Sequence, residues 1–105
     1  MGTRERRLKI LQLSPKDEED HLSWIVYILE CADKTLYTGI TKNLQRRLQA
    51  HEKGKGAKYT RGRGPFSLLY TETHPTMGQA LQREAQIKQF DPRSKRDLSS
   101  SNTQR

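Results

Sequence analysis

The sequence predicts a small α/β (α+β) domain with the element order β-β-α-β-α-α. Two short β-type runs, Trp24–Leu29 and Thr35–Thr41, flank a turn-length connection. A helical period follows over residues 44–53. A third β-type run, Phe66–Thr73, precedes a second helical period that opens at Thr76. At 105 residues the chain is one domain, expected to occupy residues 22–98. Only 31% of it is hydrophobic and 30% is charged, so the core must be small and the surface strongly hydrated.

Residues 1–21 divide into a basic piece around Arg4–Lys9 and an acidic piece, Asp17–Asp20. Leu8, Ile10 and Leu11 offer at most one weak amphipathic turn, and Ser14-Pro15 interrupts it. The segment is expected to be a mobile tail. It lacks the apolar centre of a signal peptide. Trp24–Leu29, the longest apolar run, is too short to cross a bilayer. A soluble, cytoplasmic protein is expected.

Trp24–Leu29 is rich in β-branched and aromatic residues and reads as a strand buried on both faces. Thr35–Thr41 alternates and reads as its hairpin partner. The loop length then decides a chemical question, because side chains alternate faces along a strand. A two-residue loop at Asp33-Lys34 puts Tyr27 and Tyr37 on opposite faces. A three-residue loop, Ala32-Asp33-Lys34, pairs Cys31 with Thr35 and points both tyrosines the same way. It also requires positive φ at Lys34, at a modest steric cost.

Asn43 is a good N-cap for a helix running to about Lys53, with Gly54 as the C′ stop. Leu44, Arg47, Leu48 and His51 fall within an arc of about 100° on that helix, so Arg47 and His51 lie on the stripe facing the sheet and Arg46 faces solvent. Residues 54–65 have no periodicity and are long for a loop in so small a domain. On the next helix, capped by Thr76 with Gln79 in capping-box position, Met77, Ala80, Leu81, Ala85 and Ile87 span an apolar arc of about 160°. Glu84 falls near its middle, where a carboxylate needs a partner. Asp91-Pro92 reads as N-cap and N1 of a short helix to about Leu98. Residues 99–105 are expected to be disordered.

Net charge is +8 and pI near 9.9, which favours a polyanionic partner. The excess is local: Lys42–Arg63 holds eight basic side chains against Glu52 alone. Lys55, Lys58, Arg61 and Arg63 there are interleaved with glycines and with Tyr59, a chain expected to follow a phosphate backbone and offer a stacking ring. The dull alternative is a solvated basic face. Cys31 is the only cysteine, so a disulfide framework and a Cys-based zinc site are excluded, and a small buried thiol is expected.

Tyr27, Tyr37, Arg47, His51 and Glu84 together supply what phosphodiester hydrolysis requires. A carboxylate can anchor a magnesium ion that keeps most of its waters. An arginine can stabilise charge on the phosphate. A phenol or a histidine can orient or deprotonate water. Each also has a structural explanation: tyrosines pack in strands, an Arg–His pair decorates a helix, and Glu84 can be neutralised by Arg47.

At these residues the chain resembles the GIY-YIG nucleases, and most closely their small single-domain branch. Val26-Tyr27-Ile28 stands where the GIY element belongs and Tyr37-Thr38-Gly39 where the YIG element belongs. Residues 39–41, then Leu44, Arg47, Leu48 and His51, keep the spacing into the first helix. Residues 55–62 and 80–84 resemble the small branch in particular. Ile25 replaces the first glycine and Thr38 the central isoleucine. The resemblance covers about Leu22 to Leu98. It implies a three-stranded antiparallel sheet flanked by helices, and single-metal DNA hydrolysis with Mg2+ or Mn2+. It further implies Glu84 as metal ligand, Arg47 as phosphate stabiliser, Tyr27 as candidate general base, and Tyr37 and His51 as their partners. DNA, single-stranded or branched, is the expected partner. Two other classes stay open: a non-catalytic nucleic-acid binder, and an accessory module docking through Asp17–Asp20.

Overall fold

The computed structural model describes residues 23–103. The expected mobile tail and the acidic piece within it lie outside the described residues. Strands β1 (Trp24–Glu30) and β2 (Leu36–Thr41) lead into helix α1 (Leu44–Glu52). Strand β3 (Ser67–His74) is followed by α2 (Met77–Lys88) and α3 (Pro92–Thr103). The sheet is antiparallel throughout, in the order β2-β1-β3.

The central position of β1 explains its continuous apolar run, since both of its faces are covered. Tyr27 and Leu29 pack with Leu48 of α1, Cys31 and Phe66 on one face. Val26 and Ile28 pack with Ala80 and Ile87 of α2 on the other, where Phe90 and Leu98 join them. The Cys31 thiol is buried, and burial pushes its pKa up, against reactivity.

The hairpin has the odd loop that a shared tyrosine face requires. Leu29 pairs with Tyr37 and Glu30 with Leu36. The Cys31 N–H donates to the Thr35 carbonyl at 2.8 Å, leaving Ala32-Asp33-Lys34 as the loop. Lys34 has φ +73°. Its neighbours hold it there. Its own N–H donates to the Cys31 carbonyl at 2.9 Å. Asp33 accepts from the Thr35 hydroxyl at 2.6 Å, and Arg96 donates to the Lys34 carbonyl at 2.9 Å and to Glu30 at 2.8 Å.

Between β1 and β3 the register slips at Ile28/Leu29, so Leu69 is an extra residue on β3. Its carbonyl accepts from the Ser99 hydroxyl at 2.8 Å. Here α3 departs from expectation, running past Leu98 to Thr103. Ser99 and its contact to the bulge lie in the stretch that composition alone marked as tail.

A further difference concerns α2. Ala80 and Ile87 are buried, but Met77 is 48% and Leu81 44% exposed. The face turned to the sheet is narrower than the expected apolar arc, because Arg83 takes one side of it. Arg83 Nε donates to Glu72 at 2.8 Å, and that carboxylate also accepts from Tyr70 and from His74 Nε2 at 2.7 Å. This network pins α2 to β3. Among the described residues, no helix is long and apolar enough to cross a membrane.

Candidate active site

Pairing Leu29 with Tyr37 makes Tyr27 and Tyr37 diagonal neighbours on one face, with ring centroids 6.2 Å apart. Helix α1 is set by its cap: Asn43 Oδ1 accepts from the Arg46 N–H at 3.0 Å. After the Lys53 C-cap, Gly54 takes φ +78°, as a helix stop requires. This frame turns Arg47 and His51 inward. Arg46 is exposed.

His51 is 1% exposed and sits among Tyr27, Tyr37 and Phe66. Its tautomer follows from counting protons. The Thr60 hydroxyl donates to the Ala57 carbonyl at 3.0 Å, so Thr60 Oγ1 must accept from His51 Nδ1 at 2.8 Å. Nε2 is therefore the bare nitrogen and accepts the Tyr27 hydroxyl proton at 2.8 Å. Arg47 Nε donates to the same phenolic oxygen at 3.4 Å. A directed chain runs from Tyr27 through His51 and Thr60 to the backbone.

Burial, with the charge of Arg47, pushes the His51 pKa down to about 4. Burial raises that of Tyr27 well above the ordinary phenol value; Arg47 opposes the rise, while Tyr37 and Glu84 add to it. The resting site is a neutral phenol donating to a neutral imidazole.

This pair makes stability depend on pH. An unfolded histidine titrates near 6.5, so below that pH the unfolded state takes up a proton that the folded state refuses. The stabilisation is complete above about pH 6.5 and is lost as pH falls toward about 4. The loss runs at roughly 1.4 kcal/mol for each pH unit across that window. Thermal melts between pH 7 and 4 should show this loss in the wild type, with a shallower fall in His51→Gln. Equal slopes in both would assign the acid sensitivity to other groups.

The loop between α1 and β3 packs back on the site, its Arg63 carbonyl accepting from the Ala32 N–H at 2.8 Å. It is a clasp folded over His51. Thr60 is fully buried, and Phe66 N donates to Glu52 at 3.3 Å. Tyr59 stacks on Tyr37 at 6.0 Å and lies under the Arg63 guanidinium at 4.6 Å. Arg63 also pairs with Asp33 at 2.6 Å. Two residues predicted to meet nucleic acid, Tyr59 and Arg63, are thus partly engaged inward. Lys55, Lys58 and Arg61 are exposed. Thr60 is a site residue that the sequence does not disclose, since a threonine in an aperiodic polar loop gives no sign of burial.

Two glycines are required by close approach. A Cβ at Gly39 would lie 2.7 Å from the Tyr27 hydroxyl. One at Gly56 would overlap His51 Nδ1 and stand 2.7 Å from Cγ. The imidazole is bonded at both ends and cannot swing away. Gly56→Ala should destabilise the protein by about 1–3 kcal/mol, as overpacking a filled core does, and should displace Thr60. Urea unfolding measures it; a change within error would show that the clasp yields.

Glu84 lies between Ala80 and Ile87 on the sheet-facing side of α2, its side chain 18% exposed. Its ion partner is Lys88 at 3.4 Å. Arg47, the partner weighed from sequence, is occupied by the phenols. Helix α2 covers the Val26–Ile28 face, so Glu84 comes to the sheet from the side opposite α1. The two halves are joined in another way. The charge of Glu84 acts on Tyr27. A groove of about 350 Å³ at the outer edge of β2 is lined by Tyr37 from one half and by Lys88 from the other. Among the described residues no three acidic, histidine or cysteine side chains gather into a closed metal site. A single, partly exposed carboxylate such as Glu84 fits a magnesium ion that keeps most of its waters.

The frame is thus an antiparallel three-stranded sheet carrying the tyrosine pair, with an inward Arg–His helix and a glutamate on the next helix. The pattern described as the GIY-YIG catalytic domain matches residues 23–96, and the chain belongs to that family. It is a small member, similar to the UPF0213 protein of Oceanobacillus iheyensis, at 60% identity over 65 residues, 62% of this chain and 76% of that protein. The UPF0213 protein of Desulfotalea psychrophila is 50% identical over 84 residues, 79% of this chain and 76% of that one. The solution structure of an E. faecalis protein has the same fold, with a TM-score of 0.57, 33% identity, and coverage of 79% of this chain and 88% of that one.

Proposed function

We propose that this protein is a DNA endonuclease dependent on Mg2+ or Mn2+, acting on single-stranded or branched DNA. The observation that carries the reading is the buried Tyr27 hydroxyl held between His51 Nε2 at 2.8 Å and Arg47 Nε at 3.4 Å, while Tyr37 on the same face lines a groove that Lys88, the ion partner of Glu84, also lines. Simple packing or nucleic-acid binding needs no such directed set.

Exposure separates the two phenols. Tyr27 is fully buried with its proton given to His51, whereas Tyr37 is half-buried and lines the groove. Tyr37 is therefore the phenol that meets the attacking water, and Tyr27 acts from behind it by placing Arg47 and His51. This reverses the role that resemblance assigns to Tyr27, for a reason of access. Arg47 keeps N–H donors beyond the one given to Tyr27, and these stabilise charge on the phosphate. Water adds to phosphorus as it gives up a proton, the phosphorus–oxygen bond to the leaving nucleotide breaks, and the departing oxygen takes up a proton in exchange, so no net proton is gained or lost. Glu84 would hold the metal, which supplies Lewis-acid stabilisation of that charge.

Cleavage of labelled single-stranded and branched DNA with Mg2+ or Mn2+ tests the reading; an inert wild type with both ions would oppose it. Binding has its own test. Neutralising Lys55, Lys58 and Arg61 together should flatten the salt slope on single strands by about 0.7 per lost phosphate contact. An unchanged slope would move the binding face elsewhere.

A further inference from the structure

We propose that the groove along the outer edge of β2 is a subsite for the sugar–phosphate of one nucleotide beside the scissile bond. Thr38, Lys88 and Lys95 donate to its phosphate. The inference rests on the nuclease reading and extends it to a position on the substrate strand.

The groove is lined by Leu36, Tyr37, Thr38, Tyr59, Lys88 and Lys95. Its volume of about 350 Å³ is near the lower bound of small-ligand sites, roughly 300 Å³, and suits about one nucleotide. It wraps the sheet edge. Tyr37 stands on the α1 face, whereas Thr38, paired with Ile28, belongs to the α2 face. The wall is therefore mixed: Leu36 and the stacked Tyr37–Tyr59 rings are apolar surface for a sugar, and two ammonium groups come from α2 and α3.

Thr38 supplies the independent observation. It is 2% exposed, and among the described residues its hydroxyl has no hydrogen-bond partner. A buried hydroxyl without a partner is costly, so the position carries a group that the described residues leave unused. Thr38 is also where the sequence departs from the isoleucine of the resembling element. A phosphate oxygen in the groove supplies the missing acceptor. Lys88, the ion partner of Glu84, sets the subsite next to the cleavage site.

The test uses the full chain and a labelled single-stranded oligonucleotide, with fluorescence anisotropy in chelator and cleavage in Mg2+ measured separately. Thr38→Val should raise the melting temperature or leave it unchanged, because it removes the orphaned hydroxyl. It should also weaken oligonucleotide binding about tenfold, the value of a hydrogen bond to a charged group. Lys95→Gln, which leaves the Glu84–Lys88 pair intact, should flatten the salt slope by about 0.7. Wild-type affinity and slope in both variants would overturn the subsite, even if both still cut DNA. Weakened binding in both, with a wild type that never cuts, would keep the subsite and overturn the nuclease reading.

Discussion

Tyr37→Phe is expected to lower the cleavage rate by about a hundredfold or more, the usual loss when a positioned proton-handling group is removed, while leaving the melting temperature near that of the wild type. Its ring is half-buried and lines the groove, and Arg47 keeps Tyr27 as a partner, so water replaces the lost hydroxyl at little cost to folding. Tyr27→Phe should behave in the opposite order. Removing its hydroxyl leaves the buried His51 Nε2 without a donor and takes the acceptor from Arg47 Nε. Leaving such a group unpaired costs about 1–3 kcal/mol. For a domain of this size that lowers the melting temperature by several degrees, about 4–8 °C per kcal/mol. Activity falls too, through the loosened arginine. Paired melts and single-turnover rates separate the phenols. A Tyr37→Phe protein that cuts at the wild-type rate would remove Tyr37 from the reaction.

Much of this arrangement is legible in the sequence, and the reason is periodicity. Two-residue alternation ties the facing of Tyr27 and Tyr37 to the parity of one loop, and the structure has the odd loop with Lys34 at positive φ. The 3.6-residue period places Arg47 and His51 on one stripe, and Asn43 and Thr76 cap where their side chains predict. What periodicity leaves out is which face of the sheet a later helix covers. Glu84 is correctly placed among sheet-facing positions of α2, yet that helix packs on Val26 and Ile28 rather than over the tyrosines. The exposure of Met77 and Leu81 has the same origin, because the Arg83–Glu72 contact fixes how α2 is rolled. The clasp over His51 is illegible for another reason. Its order comes from Thr60, Gly56 and the Tyr59–Arg63 stack, contacts that a loop without a period does not announce.

In the proposed reaction the two halves of the site, Glu84 on one face and the Tyr37–Arg47 group on the other, act together on a phosphodiester at the β2 edge. Glu84→Gln tests this with little disturbance, since the amide keeps the volume and loses only the charge and an ion pair to the exposed Lys88. The groove, Lys55, Lys58 and Arg61 are untouched, so binding to DNA should be largely retained. The metal ligand is gone, so cleavage should be. The decisive measurement is cleavage of single-stranded DNA in Mg2+ by wild type and Glu84→Gln, at concentrations where both bind it fully. Product is expected with the wild type and none above background with the variant. A variant that cuts as fast as the wild type would contradict a joint site.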